Sequence, residues 1–162
     1  GTMTATISHC LNSGSLLATG SGDKKQLGGI CGITMGGTTV NISDSVNVGT
    51  IAKQSGSSVT LSAHASLIGV VNDTSDKVDM EHVYGYADSA MWGDRAFAIK
   101  NGTVTGDYEV KGLEQLKGEN AKALKLDWYD SASNADGHWT LNSKKQPVLY
   151  GFKEFIWRPE EE

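Results

Sequence analysis

Three residues of this sequence could together bind a metal ion. His9, Asp44 and His82 follow one another at intervals of about three dozen residues, and two imidazoles with one carboxylate suit zinc or another divalent ion. The simpler interpretation is a solvent-facing corner with three unrelated polar side chains, since residues of these types coincide often by chance. We prefer the simpler interpretation and therefore expect no metal and no cofactor.

A second group of possible oxygen ligands lies in a polar stretch near the end of the chain. Asp130, Asn134 and Asp136 precede Gly137, a pattern with a faint resemblance to a calcium-binding loop. Ala132 stands where such a loop needs a ligand, and no glutamate follows at the closing position. An ordinary turn rich in Asp and Asn explains the stretch better.

The two cysteines, Cys10 and Cys31, fit neither a zinc pattern nor a disulfide framework. Both could point inward as small apolar side chains, which is the usual environment of a lone cysteine. A disulfide between them is the alternative, and the distance between their Cα atoms decides it. The sequence leaves both interpretations open.

The sequence offers little material for catalysis. No serine occupies the Gly-x-Ser-x-Gly turn of a hydrolase, and the glycine-rich residues 28–32 lack the Lys-Ser/Thr ending of a phosphate-binding loop. Within residues 4–71 the acids are Asp23 and Asp44, and arginine is absent. Acid–base cleavage of a glycan needs paired carboxylates. We therefore predict that the chain is not an enzyme.

An internal repeat must position these residues. Residues 6–16 align with residues 41–51, and residues 29–32 align with residues 66–69 in the same order. A third unit begins near residue 78, with Met80 equivalent to Ile42. Repeats of this length are typical of stacked architectures, because one unit cannot bury its apolar face alone.

Stacking the units as parallel strands about 4.8 Å apart makes specific predictions. Ile7, Ile42 and Met80 form one buried column, while Leu16 lies on Ile51 and Ile30 lies on Leu67. At one corner a ladder of amides hydrogen-bonds from coil to coil, and the next corner is a glycine turn. The residues that we expect to be structural are Ile7, Asn12, Gly14, Ile42, Asn47, Gly49, Trp139 and Pro147.

These blocks resemble the GLUG-type repeats of bacterial surface and secreted proteins, in which similar units recur many times along large cell-wall-associated chains. The resemblance covers residues 4–71 and is weaker in the third unit. Near the end of the chain, residues 139–142 and 146–149 are similar to the "W…n…PVL" sequence that closes such an array. The resemblance implies the last repeats of an array and their cap. The family often joins such arrays to adhesive domains or to large secreted peptidases.

The part of the chain after the repeats predicts shorter elements. Asn101-Gly102 between two apolar runs indicates a two-residue hairpin. Residues 113–128 show helical spacing that Gly118 interrupts, which predicts two short helices. Strands are expected around residues 139–141 and, opened by Pro147, at residues 148–150. Three tryptophans of this region, Trp92, Trp128 and Trp139, are expected to plug the open end of the stack.

The fold that we predict is mainly β: a right-handed parallel β-helix, or β-solenoid, of about three coils with a small α+β cap. Residues 1–106 form the repeats, residues 107–153 form the cap, and residues 154–162 form a linker or tail. The 20 glycines against 2 prolines agree with many short strands joined by tight turns. If the chain is a trimmed piece, the edge of its first coil invites weak self-association.

Charge and hydropathy limit the possible partners. The net charge is −5 and the sequence has no Lys/Arg cluster, so we expect no nucleic-acid partner. No apolar run approaches the length that membrane insertion needs. We expect a non-catalytic stalk, spacer or binding surface in a large exported bacterial protein, located outside the cell or on its surface. Partners are then other domains of the same parent chain, or a host or matrix protein or glycan.

One alternative function comes from another class. The chain could be an accessory domain of a secreted peptidase or carbohydrate-active enzyme whose catalytic domain lies elsewhere in the parent chain. Gly1-Thr2-Met3 leads directly into strand-like sequence without a signal peptide, so we expect that a longer polypeptide was trimmed. The length and the neighbouring motifs of that polypeptide would separate the two functions.

Overall fold

The computed structural model describes residues 2–23, 26–61, 64–87 and 95–157. The chain is mainly β, with parallel sheets and few helices. Trp92 lies outside the described residues. None of the described helices combines the length and the apolar character that crossing a bilayer requires.

The elements follow one another as short strands and then as a small mixed region. In the described residues the strands are β1 (Thr4–Ser8), β2 (Leu11–Asn12), β3 (Leu16–Ala18), β4 (Leu27–Gly28), β5 (Cys31–Thr34), β6 (Thr39–Asn47), β7 (Ile51–Lys53), β8 (His64–Ala65), β9 (Ile68–Val71), β10 (Lys77–Tyr86), β11 (Phe97–Lys100), β12 (Thr103–Lys111), β13 (Trp139–Leu141) and β14 (Pro147–Leu149). In the same part of the chain, one α-helix, α1 (Leu113–Leu116), and two 3₁₀ helices (Gly118–Ala123 and Tyr150–Phe152) accompany these strands.

The strands before the cap pair in parallel, each with its equivalent in the next unit. The largest sheet has the order β1-β6-β10-β12, with β2 also paired to β6, and a second sheet has the order β5-β9-β11. Two further parallel pairs are β3-β7 and β4-β8. Each of these strands therefore lies beside the strand that is one repeat away in sequence. The prediction that repeat units pair in parallel is therefore confirmed.

The register of these pairs agrees with the alignment of the repeats. Ile7 lies opposite Ile42, and Ile42 lies opposite Met80. Leu16 lies opposite Ile51 in the same way. Ile42 and Met80 are buried in one core cluster with residues of β9, and Ile7 packs against that cluster. Apolar and polar residues alternate in the first half of β6 and of β10, so one face of each strand is buried there, whereas three consecutive residues are buried later in each strand.

A column of side-chain amides connects the first two units, as the repeat predicts. Asn12 donates from Nδ2 to Oδ1 of Asn47 at 2.9 Å, and Asn47 donates to the carbonyl of Ser66 at 2.8 Å. Each of these two side chains also accepts the N–H two residues later, at Gly14 and Gly49. The amides thereby satisfy main-chain groups at the corner, where the strand ladder stops.

Gly49 is needed at this corner for space, and not for the turn conformation that we expected. Neither Gly14 nor Gly49 has a positive φ. A Cβ on Gly49 would lie 2.2 Å from the carbonyl oxygen of Gly14, whereas a Cβ on Gly14 would meet nothing closer than 3.7 Å. The requirement for glycine therefore comes from the close approach of the neighbouring unit.

Asp76 closes another corner as a buried carboxylate with four donors. Thr34 donates its hydroxyl at 2.8 Å, and the main-chain N–H groups of Gly37, Thr38 and Asp73 donate at 2.9, 3.0 and 3.1 Å. Burial raises the pKa of Asp76, but these hydrogen bonds outweigh it, so the pKa lies below its ordinary value. The carboxylate fixes the connection between two units.

The cap packs along the flank of the stack, so the prediction that Trp128 and Trp139 plug its open end is wrong. Trp139 and Trp157 are fully buried against Val46, Val48 and Tyr84. Val46 and Tyr84 are register partners on β6 and β10, and Leu11 of β2 lies opposite Val46. Adjacent residues of β10 face opposite sides, since Val83 belongs to the other core cluster. The cap therefore covers the outward face of several strands at once.

Two boundaries and one turn differ from those expected. Residue 106 does not end the stack, because β12 stays paired with β10 as far as Lys111. The asparagine–glycine pair at residues 101–102 makes a corner and not a hairpin, because β11 and β12 pair in parallel with β9 and β10. Residues 154–157 are not a tail, because the Trp157 indole donates to the carbonyl of Pro147 at 2.9 Å inside the cap.

The cap has the elements that its sequence predicts. Lys117 lies between α1 and the following 3₁₀ helix, and Gly118, with a φ of 67°, begins that 3₁₀ helix. The strand at residues 139–141 pairs antiparallel with the strand that Pro147 opens, and Leu141 lies opposite Pro147. Tyr150 begins a 3₁₀ helix and does not extend that strand. In the described residues of the cap, three short helical segments thus accompany one antiparallel pair.

Both cysteine thiols are free. The expectation that both point inward is wrong for Cys10, which is exposed and lies 3.2 Å from the carbonyl of Ser8. Cys31 is half-buried against the core, and burial raises the pKa of its thiol. No disulfide joins the two residues.

Candidate functional site: a histidine–aspartate row

His9, Asp44 and His82 lie side by side at equivalent positions of three neighbouring units, with His9 between β1 and β2, Asp44 on β6 and His82 on β10. His9 Nε2 is 3.8 Å from Oδ2 of Asp44, and His82 Nδ1 is 3.4 Å from Oδ1 of the same carboxylate. Asp44 therefore stands between two imidazoles. All three side chains are partly exposed, at 30%, 17% and 31% in chain order.

A shared backbone conformation brings these three side chains together. His9, Asp44 and His82 have φ values of 51°, 44° and 55°, in the left-handed region. Residues with a Cβ rarely adopt this conformation, although His and Asp adopt it more often than most. The residue bends each strand at the same level, so the three side chains leave the stack at one place.

The cap adds a second carboxylate and a third imidazole to this row. Asp127 Oδ2 is 3.8 Å from His9 Nε2 and 2.7 Å from His138 Nδ1. The rings of His9 and His138 stack with their centroids 3.8 Å apart and their planes at 27°. The row therefore consists of His82, Asp44, His9, Asp127 and His138, and it crosses from the stack to the cap.

Hydrogen bonds within the cap fix Asp127 in this position. Its main-chain carbonyl accepts the N–H groups of His138 and Trp139, each at 2.9 Å. Its side-chain Oδ1 accepts the amide of Asn134 at 2.8 Å. Trp139 in turn donates from Nε1 to the carbonyl of Asp44 at 2.9 Å. One buried indole thus aligns the two parts of the row.

The electrostatic environment of Asp127 favours its charged form. The hydrogen bond with His138 lowers the pKa of Asp127, and burial opposes this effect. The hydrogen bond from Asn134 and the charges of His138 and His9 lower the pKa further. At neutral pH the row therefore contains an ionised carboxylate between two imidazoles.

Three members of the row can direct ligand atoms at one point. His9, Asp127 and His138 each offer one nitrogen or carboxylate oxygen, and these atoms all lie within 4.8 Å of one another. Imidazole with carboxylate is a donor set for zinc, copper, iron or nickel. The arrangement is therefore suited chemically to a transition metal, and less to calcium or magnesium, which take oxygen ligands.

The sequence identified three of the five members of this row. The repeat placed His9, Asp44 and His82 at equivalent positions, and the structure brings them into contact. Asp127 and His138 were missed, because their proximity depends on how the cap docks, and no local pattern carries that information.

The suspected calcium loop is an ordinary turn, as expected. Oδ1 of Asp130 accepts the N–H groups of Ala132 and Ser133 at 2.8 and 3.0 Å. Asn134 offers its amide nitrogen to Asp127, so that side chain is engaged as a donor. The oxygen of Asp130 is used to shape the turn.

A separate groove of about 250 Å³ lies where β12 meets the helical part of the cap. Two acids line it, and each contacts a lysine: Asp107 lies 3.4 Å from Lys125, and Glu109 lies 3.1 Å from Lys111. Tyr84 forms part of its wall. The groove has a mixed charge, with both carboxylates in ion pairs.

Comparisons with protein-family models, with curated proteins and with solved structures give no significant match to this chain. Its interpretation therefore depends on its own residues and contacts.

Proposed function

We propose that this chain is a right-handed parallel β-helix of about three coils with a small α+β cap, of the GLUG-repeat kind. We propose further that it serves as a non-catalytic structural or adhesive segment of a large exported bacterial surface protein. The observation that carries the proposal is the in-register parallel pairing of equivalent residues, above all Ile7 with Ile42 and Ile42 with Met80.

The pairing supports a structural role because of how such an architecture is built. Each unit contributes short strands whose apolar faces are buried only by the next unit, so length is gained by adding units. Gly49 and the amides of Asn12 and Asn47 serve this stacking directly. A protein that must hold other parts at a distance benefits from a stack whose length scales with the number of repeats.

The exported, surface-located role can be tested on intact cells. Antibodies raised against this chain should label intact cells of the organism that encodes it, and protease treatment of those cells should remove the label. An antibody against a cytoplasmic protein is the control and should label only lysed cells. Labelling that requires lysis would contradict the proposal.

The same cells separate the proposal from its alternative. The polypeptide that the antibodies capture can be sequenced by mass spectrometry along its whole length. A parent chain with adhesive or anchoring regions supports the structural segment. A parent chain with a peptidase or carbohydrate-active domain would replace it with the accessory role.

A further inference from the structure

We propose that His9, Asp127 and His138 bind one divalent transition-metal ion, with Zn²⁺ as its representative, and that the ion joins the cap to the first unit of the stack. This proposal departs from the expectation of no metal, and its ligand set shares only His9 with the three residues considered from sequence, His9, Asp44 and His82. This inference goes beyond the proposed structural role and does not depend on it.

The distances within the set are near those of a metal site. Zinc lies about 2.0–2.1 Å from nitrogen and about 2.0–2.2 Å from oxygen, so tetrahedral ligand atoms are about 3.4 Å apart. His9 Nε2 is 3.8 Å from Asp127 Oδ2, and His138 Nδ1 is 2.7 Å from it. All three ligand atoms fall within 4.8 Å of one another. The ligand atoms are therefore already close to one another, and rotation of the side chains can direct them at one ion.

The rings have room for these rotations. His9 and His138 are 30% and 52% exposed in their side chains, and they are stacked on each other. In-plane nitrogen lone pairs of stacked rings do not converge, so binding must open the stack by turning one ring. His138 is the more exposed of the two, and we expect its ring to turn. Water then completes the coordination of the ion.

The backbone beneath the three ligands is fixed. Asp127 is held by Asn134 and by the N–H groups that its carbonyl accepts. His9 lies at the bend between β1 and β2, and its N–H donates to the carbonyl of Ser43 at 3.2 Å. Ligands on a pre-formed backbone lose less conformational entropy when an ion binds. The site therefore needs little reorganisation beyond the ring rotation.

The ion would act as a connection between two parts of the fold. His9 belongs to the first unit, whereas Asp127 and His138 belong to the cap. An ion that binds only when the cap is docked stabilises the docked state by mass action. We therefore expect the ion to raise the thermal stability of the whole chain.

The test is a titration of the full chain with Zn²⁺ after chelator treatment. Calorimetry measures the binding, and thermal unfolding measures the change in stability. We expect one ion per chain, and a rise in Tm of about 5–10 °C at a free Zn²⁺ concentration 100 times the Kd. Mg²⁺ and Ca²⁺ at the same concentrations should have no effect. Absence of saturable Zn²⁺ binding, or a stoichiometry that grows without limit, would overturn the proposal.

Variants locate the ion. His138→Gln and Asp127→Asn should each weaken Zn²⁺ binding by about tenfold or more. The matched control is His82→Gln, which removes an imidazole from the same row but leaves the three ligands intact, and its affinity should equal that of the wild type. Circular dichroism without metal shows whether each variant keeps the fold. Equal losses in the His82→Gln and His138→Gln variants, or no loss in either, would contradict the assignment.

Discussion

At the scale of single residues, the stack depends on positions where no side chain fits. Gly14 and Gly49 are equivalent in the repeat, yet only Gly49 has the neighbouring unit against its Cα. From the repeat alone, the two glycines would be expected to have the same role. The contacts distinguish them, and so does the expected response to substitution.

Gly49→Ala should destabilise the protein by about 1–3 kcal/mol, because its Cβ would overlap the carbonyl oxygen of Gly14 and the strands must separate. Gly14→Ala is the matched control. Its Cβ meets only ordinary contacts, so the change should be neutral or should stabilise the protein by up to about 1 kcal/mol, because alanine lowers the conformational entropy of the unfolded chain. Urea unfolding measures both. Equal effects of the two substitutions would contradict the close approach of the units.

Asp76 illustrates how one buried charge fixes a corner. Asp76→Asn should cost about 2 kcal/mol or more, since an amide cannot accept from all four donors and a buried N–H group loses its acceptor. The exposed Asp136→Asn is the control and should change stability by less than about 0.5 kcal/mol. Chemical unfolding at pH 7 compares the two variants.

The same carboxylate predicts a dependence on pH. Its folded-state pKa is lowered, so its contribution is fully present above the unfolded value of about 3.9 and is lost as the pH falls through the folded value. The stability difference between the wild type and Asp76→Asn should therefore be constant near neutral pH and should shrink below about pH 4. A difference that stays the same from pH 7 to pH 3 would contradict this origin.

At the scale of elements, β6 and β10 serve two cores. Before the left-handed residue at Asp44 or His82, the apolar side chains face the interior of the stack, as Ile42 does. After it, Val46 and Tyr84 face the cap, while Val83 still faces the interior. Beyond the bend β10 therefore contributes to the interior and to the flank at once. This arrangement explains why the cap lies along the stack.

Trp157 is the residue on which we expect docking of the cap to depend most. Trp157→Ala should cost about 3–5 kcal/mol, because the indole is fully buried and also donates to the carbonyl of Pro147. Phe152→Ala is the matched control, since that ring is 70% exposed and its loss should be near neutral. Guanidinium unfolding followed by circular dichroism measures both. A near-neutral Trp157→Ala would show that residues 154–157 are the tail expected from sequence.

The repeat made some parts of the fold predictable from sequence, whereas other parts could not be predicted from it. Equivalent positions revealed the pairing of Ile7 with Ile42, because periodic sequence encodes periodic contacts. The asparagine–glycine pair at residues 101–102 led to the wrong prediction of a hairpin, because a corner between parallel strands uses the same turn residues as a hairpin. Trp157 was missed because a charged stretch follows it. His138 was missed because its partner in the stack lies far away in sequence.

At the scale of the whole molecule, parallel units form a stack and the cap lies along one side of it. The net charge is −5 and the sequence has no Lys/Arg cluster. The two core clusters, one inside the stack and one under the cap, divide the buried apolar residues between them. Their common strands make the stack and the cap one structural unit.

The most direct test of this account is continuous-wave electron paramagnetic resonance with nitroxide pairs at exposed register positions, with Cys10 and Cys31 replaced by serine. Thr6 lies opposite Asn41, and Asn41 lies opposite Asp79. Labels at residues 6 and 41, or at residues 41 and 79, sit on strands about 4.8 Å apart and should show strong spin–spin broadening. A pair at Thr6 and Thr105, three strands apart, should broaden far less. Neighbouring pairs no broader than that distant pair would contradict the parallel stack.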